Sequence, residues 1–256
     1  MSSSARAESG VHLFRFAAPA EFYRLAGKLT PWFAGLSVVL AVIGLYIGFF
    51  SAPTDAQQGE SYRIIFIHVP AAWMAMFLYV VMAFWAGVGL VFNTRLSAML
   101  ASAIAPTGAL MAFIALWTGA LWGRPTWGAY WVWDARLTST LILLFLYCGF
   151  IALHSAIDDT RRADKAAAVL ALVGVVNVPI IYFSVQWWNT LHQGASVRPG
   201  GSSMAGIMVT AMLVMVFAFW MYAIAAVLHR VRSIVLEREQ RNEWAQAAVA
   251  VARGGT

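Results

Sequence analysis

Six long apolar stretches, separated by short polar segments, set the pattern of the chain. They are Pro31–Phe50, Ile64–Phe92, Ala98–Leu121, Leu137–Ile157, Ala166–Val185 and Met204–Leu228. About 20 apolar residues in a helix are enough to cross the hydrocarbon core of a bilayer, and each stretch meets that length. The pattern therefore predicts an all-α, polytopic integral membrane protein with six transmembrane helices.

Three details refine these spans. The first stretch is too long and too far from the N-terminus for a signal-peptide core, so we expect it to be retained. Pro70 suits the first turn of a helix, which would place His68 just before the second span; a helix beginning at Ile64 would instead place His68 in its outer turn. Either way His68 lies at the membrane surface. Asn177 and Pro179 interrupt the fifth span, and local repacking is a simpler explanation for them than a functional kink.

Composition agrees with a membrane protein, since 61% of the residues are hydrophobic and only 11% are charged. Mean hydropathy is +0.73. The single cysteine, Cys148, cannot form an internal disulfide, and the absence of a CxxC motif excludes thiol–disulfide chemistry for this chain alone. The net charge of +6 needs no nucleic-acid partner to explain it, because the bilayer accounts for an uneven distribution of Lys and Arg.

The basic residues fall mainly on one side of the predicted spans. The terminal segments and the second and fourth loops hold 13 of the 17 Lys and Arg residues. The positive-inside rule then predicts that both termini are cytoplasmic. We divide the chain into a cytoplasmic arm (1–30), a six-helix transmembrane domain (31–228) and a basic cytoplasmic tail (229–256).

One outer loop is exceptionally aromatic. Residues 122–139 read WGRPTWGAYWVWDARLTS and contain Trp122, Trp127, Tyr130, Trp131, Trp133 and Asp134. Two glycines and a proline predict that the first half of this segment is not a regular helix. A lone Trp at an interface often belongs to an aromatic belt. Four within twelve residues indicate instead an apolar platform for a planar ligand.

Two histidines lie on the same predicted face as this segment. His68 precedes or opens the second span, and His192 lies in the loop after the fifth. Imidazole is a common axial ligand of haem iron, although a single interfacial histidine is usually only a polar surface residue. The outer arginines are candidates for haem propionates, because guanidinium pairs bidentately with carboxylate: Arg63, Arg124, Arg136 and Arg198. Asp134 is more suited to orienting Arg136 or a backbone turn than to contacting an anion.

The segment WGRPTWGAYWVWDARLTS resembles the tryptophan-rich signature of membrane proteins that handle haem in cytochrome c assembly. With HVPAAW around His68 and WWNTLHQG around His192, residues 20–230 resemble the cytochrome c maturation protein C family, also called haem exporter protein C. Tyr130 departs from the Trp that many members have there, which affects only the packing at that position.

The resemblance implies a bacterial inner-membrane protein that holds haem b non-covalently at its periplasmic surface. His68 and His192 would be the axial ligands, and Trp122, Trp127, Trp131 and Trp133 the platform. Arg63 and Arg136 are the preferred propionate contacts. Implied partners are a periplasmic haem chaperone, an ABC-type ATPase with its membrane subunit, and a small single-span subunit. The chain has no GxxxxGK[ST] phosphate loop, so we expect a haem-transfer protein rather than an enzyme, with ATP hydrolysed elsewhere.

Two other functions remain compatible with the sequence. A b-type electron-transfer subunit usually buries its histidine pairs within the spans, whereas these histidines lie at the surface. A haem-translocating permease would line the membrane interior with functional polar residues, whereas here they gather on one face.

Overall fold

The computed structural model describes residues 16–192, 194, 197–198 and 200–254, and helices dominate it. The helices are α1 (Pro19–Tyr46), α2 (Ile65–Phe92), α3 (Arg95–Trp127), α4 (Ala135–Ala156), α5 (Thr160–Gly174), α6 (Asn177–Trp187), α7 (Gly206–Arg238) and α8 (Glu243–Gly254). A π-helical turn (Ile47–Ser51) extends α1, and a 3₁₀ turn (Glu60–Ile64) precedes α2. Strands β1 (Val197–Arg198) and β2 (Gly201–Ser202) form a small antiparallel hairpin.

Among the residues that the structure describes, six helical segments are long and apolar enough to cross a membrane. The predicted all-α architecture with six spans is therefore confirmed. The helices extend beyond the predicted apolar stretches, because a helix continues through amphipathic sequence until a capping or breaking signal ends it. Helix α1 begins at Pro19 and α7 continues to Arg238, so the boundaries at residues 30 and 228 both fall inside helices.

The core lies among α2, α3, α4 and α5, while α1 packs along α7 on one side. At its centre Tyr147 is fully buried, and its hydroxyl donates a hydrogen bond to the carbonyl oxygen of Ala75 at 2.8 Å. Its ring meets that of Tyr79 edge-on, with centroids 4.9 Å apart. Gly108 on α3 leaves the space that this ring occupies. These contacts fix α3 relative to α4, the two helices that flank the tryptophan-rich segment.

The fifth span is broken at Val175 and Val176, between α5 and α6. Pro179 lies in the first turn of α6, where its missing N–H has no helical partner to lose. The side-chain amide of Asn177 donates to the carbonyl oxygen of Ser139 on α4, at 2.8 Å. This bond ties the start of α6 to α4.

The opposite end of the bundle is held by a polar network. Arg238 donates to both carboxylate oxygens of Asp164, at 2.8 and 2.9 Å. Nε2 of His154 lies 3.0 Å from the same carboxylate and 3.1 Å from the hydroxyl of Ser102. Four helices are thus joined at the end away from the tryptophan-rich segment.

Candidate haem-binding site

The tryptophan-rich segment is helical at its start. Helix α3 continues to Trp127, so the prediction of irregular structure across residues 122–130 was wrong for the first six of them. Pro125 lies in the last turn and supplies no N–H to the helix, while the hydroxyl of Thr126 donates to the carbonyl oxygen of Trp122 at 2.7 Å. The helix ends at Gly128, whose φ of 80° is readily adopted only by glycine.

Helix α2 begins at Ile65, so His68 lies in its first turn. Of the two helix starts expected from the sequence, Ile64 is closer to this one than Pro70. Its Nδ1 lies 3.0 Å from Oγ1 of Thr118 on α3. The Thr118 hydroxyl donates its own hydrogen to the carbonyl oxygen of Ile114 at 2.6 Å. With the hydroxyl hydrogen engaged there, its oxygen accepts from His68, which places a proton on Nδ1 and leaves Nε2 as the unprotonated nitrogen of the neutral ring.

Trp122 packs against the same imidazole. The two rings meet edge-on with centroids 5.6 Å apart. The indole N–H of Trp122 donates to Oε1 of Gln58 at 2.8 Å, which draws the loop before α2 over the ring. One tryptophan of the segment is therefore fixed beside His68.

His192 lies in the loop after α6 and is held by Asp134. Its Nδ1 lies 2.8 Å from Oδ2 of that carboxylate. The other carboxylate oxygen caps α4 by accepting from the backbone N–H of Leu137, also at 2.8 Å. The backbone N–H of His192 donates to Oγ1 of Thr190 at 2.8 Å, and its ring packs against Trp127 with centroids 4.7 Å apart. Asp134 thus joins the loop to the start of α4.

The protonation of this pair follows from its surroundings. Burial lowers the pKa of His192 below its ordinary value of 6.5, although Asp134 acts in the opposite direction. Burial by itself raises the pKa of Asp134, but hydrogen bonds from the Leu137 amide, His192 and Thr190 hold it below 3.8. At neutral pH His192 is therefore a neutral imidazole that donates from Nδ1 to a charged carboxylate.

The two imidazoles share one polar region. They are close enough for charge on one to act on the other, and the guanidinium of Arg136 acts on both. Within the described residues Nε2 of His192 has no hydrogen-bond partner, and the side chain of half-buried Arg136 makes no hydrogen bond or ion pair. The ring of His68 has a second neutral neighbour beside Thr118, the backbone of Ala115. The indole N–H of Trp131 is buried without an acceptor in the same part of the chain. A buried unpaired donor is costly, so these groups suit an incoming anionic ligand.

The remaining candidates are placed differently. Arg63 pairs with Glu60 through Nε, and its Nη1 donates to the carbonyl oxygens of Gly48 and Ala52 at 2.6 and 3.1 Å, so three of its five N–H donors are engaged by Glu60 and the end of the first span. Arg124 lies over the ring of Tyr130, 5.8 Å from its centroid. The side chain of Arg198 lies outside the described residues.

Two aromatic side chains of the segment face outward. Tyr130 is 59% exposed and Trp133 is 77% exposed. Trp133 packs edge-on against Trp131 with centroids 5.3 Å apart. The segment therefore has an inner part, beside the histidines, and an outer aromatic edge.

Comparison with known proteins identifies the family of this chain. The family model described as Heme exporter protein C matches residues 12–246. The chain belongs to the haem exporter protein C family. It is 47% identical over 232 residues to Heme exporter protein C of Escherichia coli (strain K12), covering 91% of this chain and 94% of that protein.

Other members of the haem exporter protein C family are similar over nearly the same length of the chain. The protein of Bradyrhizobium diazoefficiens is 49% identical over 231 residues, covering 90% of this chain and 88% of its own length. The protein of Paracoccus denitrificans is 39% identical over 228 residues, covering 88% of this chain and 94% of its own length. The family resemblance inferred from the sequence is confirmed.

Sequence reasoning missed two contacts of the site. Thr118 lies 50 residues from His68, and Asp134 lies 58 residues from His192. A threonine inside an apolar span usually bonds its own helix, which hides a second role. Asp134 was expected to orient Arg136 or a backbone turn; it does cap a turn, and it also binds His192.

Proposed function

We propose that this protein binds haem b non-covalently between His68 and His192 and delivers it to a periplasmic haem chaperone during cytochrome c maturation. The observation that carries the proposal is the matched state of the two imidazoles: each has its Nδ1 held by a side-chain oxygen. Metal-ligating histidines are typically oriented in this way, by a second hydrogen bond on the other ring nitrogen.

The other groups of the site have complementary roles in this proposal. Arg136 pairs with a propionate, because it is half-buried and makes no ion pair within the described residues. Trp131 supplies a further donor through its buried indole N–H. Trp122 and Trp127 pack against the two imidazoles and restrict their rotation. Arg63 remains a candidate, although most of its donors are engaged elsewhere.

Delivery requires an accessible edge. We assign that role to Tyr130 and Trp133, the exposed rings beside the half-buried part of the segment. In this proposal the site faces the periplasm from the bacterial inner membrane. An ABC-type ATPase, its membrane subunit and a small single-span subunit act with this chain and with the chaperone.

An absorption spectrum of the purified protein tests the proposal. We expect a six-coordinate, low-spin haem in the wild type. His68→Ala and His192→Ala should each open a coordination position that added imidazole refills. His154→Ala is the control, because that imidazole lies in the network at the opposite end of the bundle. A spectrum unchanged in both His68→Ala and His192→Ala would overturn the assignment.

A further inference from the structure

The two candidate ligands are held by acceptors of different charge. Nδ1 of His192 donates to the carboxylate of Asp134 at 2.8 Å, and that side chain is 9% exposed. Nδ1 of His68 donates to the neutral hydroxyl of Thr118 at 3.0 Å. The two imidazoles are therefore chemically unequal before any haem is bound.

This difference changes how strongly each Nε2 binds a metal. A hydrogen bond to a charged acceptor is roughly twice as strong as one between neutral groups. A carboxylate on Nδ1–H moves electron density toward Nε2 and raises the basicity of the imidazole as a ligand. A hydroxyl does so much less, so His192 is the stronger donor.

We propose that His192 is the anchoring ligand of the haem iron and His68 the exchangeable one, with Asp134 as the positioning residue that makes them unequal. The inference rests on the proposed haem-binding function. It adds an order of events, because the two ligands would otherwise be equivalent during delivery.

The surroundings of Asp134 support this assignment. Its second carboxylate oxygen accepts the Leu137 amide at the start of α4, so the carboxylate has a fixed position. Thr190 binds both the backbone of His192 and the same carboxylate. His192 is thereby attached to a helix end although it lies in a loop. His68 has no charged acceptor among the described residues.

Delivery then begins as a ligand substitution at the His68 side. The bond from iron to Nε2 of His68 breaks, and a bond from iron to a nitrogen donor of the partner forms. The iron keeps its oxidation state, and no proton is transferred, because both imidazoles remain neutral. His192 retains the haem until the incoming donor is in place.

The experiment compares paired variants of the full-length protein loaded with haem. Haem loss to an excess of an apo-globin scavenger should be 10–100-fold faster in His192→Ala than in His68→Ala. Asp134→Asn should approach His192→Ala, because asparagine preserves the helix cap but replaces an acceptor with an N–H donor. Thr118→Val should change the rate by less than Asp134→Asn, and Thr118→Ser should restore it.

A second readout separates ligand strength from general damage to the fold. A basic ligand favours ferric iron, so Asp134→Asn should raise the midpoint potential, by about 59 mV for each tenfold preferential loss of ferric affinity. Thr118→Val should shift the potential less. Thr210→Val is the matched control. Like Thr118, Thr210 donates its hydroxyl to the carbonyl oxygen four residues earlier, that of Gly206 at 3.0 Å, but it lies on α7.

Each outcome has one meaning. Equal haem loss in His68→Ala and His192→Ala, or faster loss in His68→Ala, overturns the assignment of anchor and exchangeable ligand. An unshifted potential in Asp134→Asn overturns the role of the carboxylate. If the wild type shows no bis-histidine spectrum, the proposed function itself fails, and this is seen before any variant is compared.

Discussion

Gly108→Ala tests whether the packing of α3 on α4 supports the site. A Cβ at this position would overlap two ring carbons and the hydroxyl oxygen of Tyr147, far inside the 3.0 Å that real Cβ atoms keep. Tyr147 is fully buried, so its ring has no open direction in which to move. The ring must leave its position, or α3 must separate from α4.

The expected cost follows from what is displaced. Losing the packing of a buried aromatic ring costs roughly 3–5 kcal/mol. The hydrogen bond from Tyr147 to Ala75 contributes about 1 kcal/mol more. We therefore expect Gly108→Ala to destabilise the protein by about 4–6 kcal/mol.

A double-mutant cycle with Tyr147→Ala isolates the clash. Without the ring the new Cβ has space, so the double variant should be about as stable as Tyr147→Ala alone. The coupling energy should then equal the whole effect of Gly108→Ala, about 4–6 kcal/mol. Gly35→Ala is the control, because a Cβ there meets nothing within 4 Å and should be neutral or slightly stabilising.

The assay is reversible unfolding in mixed detergent micelles, followed by tryptophan fluorescence. A neutral Gly108→Ala would refute the reasoning. So would a double variant whose destabilisation equals the sum of the two single changes, since the two residues would then be independent.

Three further predictions concern the site. Reporter fusions at Gly128 should report the periplasm and those at Asp159 the cytoplasm. The reverse result would contradict the proposed function, because the site would then face away from the periplasm. Trp133→Ala should keep haem bound but lower its transfer to the chaperone, whereas Trp32→Ala, a tryptophan equally exposed at 78% on α1, should not; equal transfer in both would make the segment only an aromatic belt. Folding lowers the pKa of His192 and of its carboxylate partner, so the folded state binds fewer protons. Stability of the loop is then present above about pH 6.5 and decreases as pH falls, and hydrogen exchange of its amides should accelerate at about pH 5 after correction for intrinsic rates; unchanged exchange would contradict this.

The sequence predicted what depends on hydrophobicity alone. Six apolar stretches were enough to predict the six spans, and their polar boundaries placed His68 and the tryptophan-rich segment at a membrane surface. The ends of the helices were harder to predict from the sequence. Gly123 and Pro125 are poor helix formers, yet α3 includes both. Gly123 lies against the backbone of Ala129 and the ring of Trp127, where a Cβ would have too little room, so tertiary packing outweighs the intrinsic preference.

The pairing within the site depends on tertiary structure. Asp134 and His192 meet because α6 is short and Asn177 ties its first turn to Ser139, next to the start of α4. Neither the break in the fifth span nor the direction of α6 can be read from a run of apolar residues. The type of each candidate residue was therefore predictable, while its hydrogen-bond partner was not.

Helix α3 is longer than a membrane span needs to be, and the start of the tryptophan-rich segment belongs to it. A helix of 33 residues measures about 50 Å, whereas the hydrocarbon core is about 30 Å thick. The additional length belongs to a continuous helix rather than to a loop, so the backbone of α3 fixes the positions of Trp122 and Trp127 along its axis. Inserting or deleting one turn between Thr118 and Trp122 would move these two rings about 5 Å along the axis of α3. They would then be separated from His68 and His192, although every residue of the site would remain in the sequence.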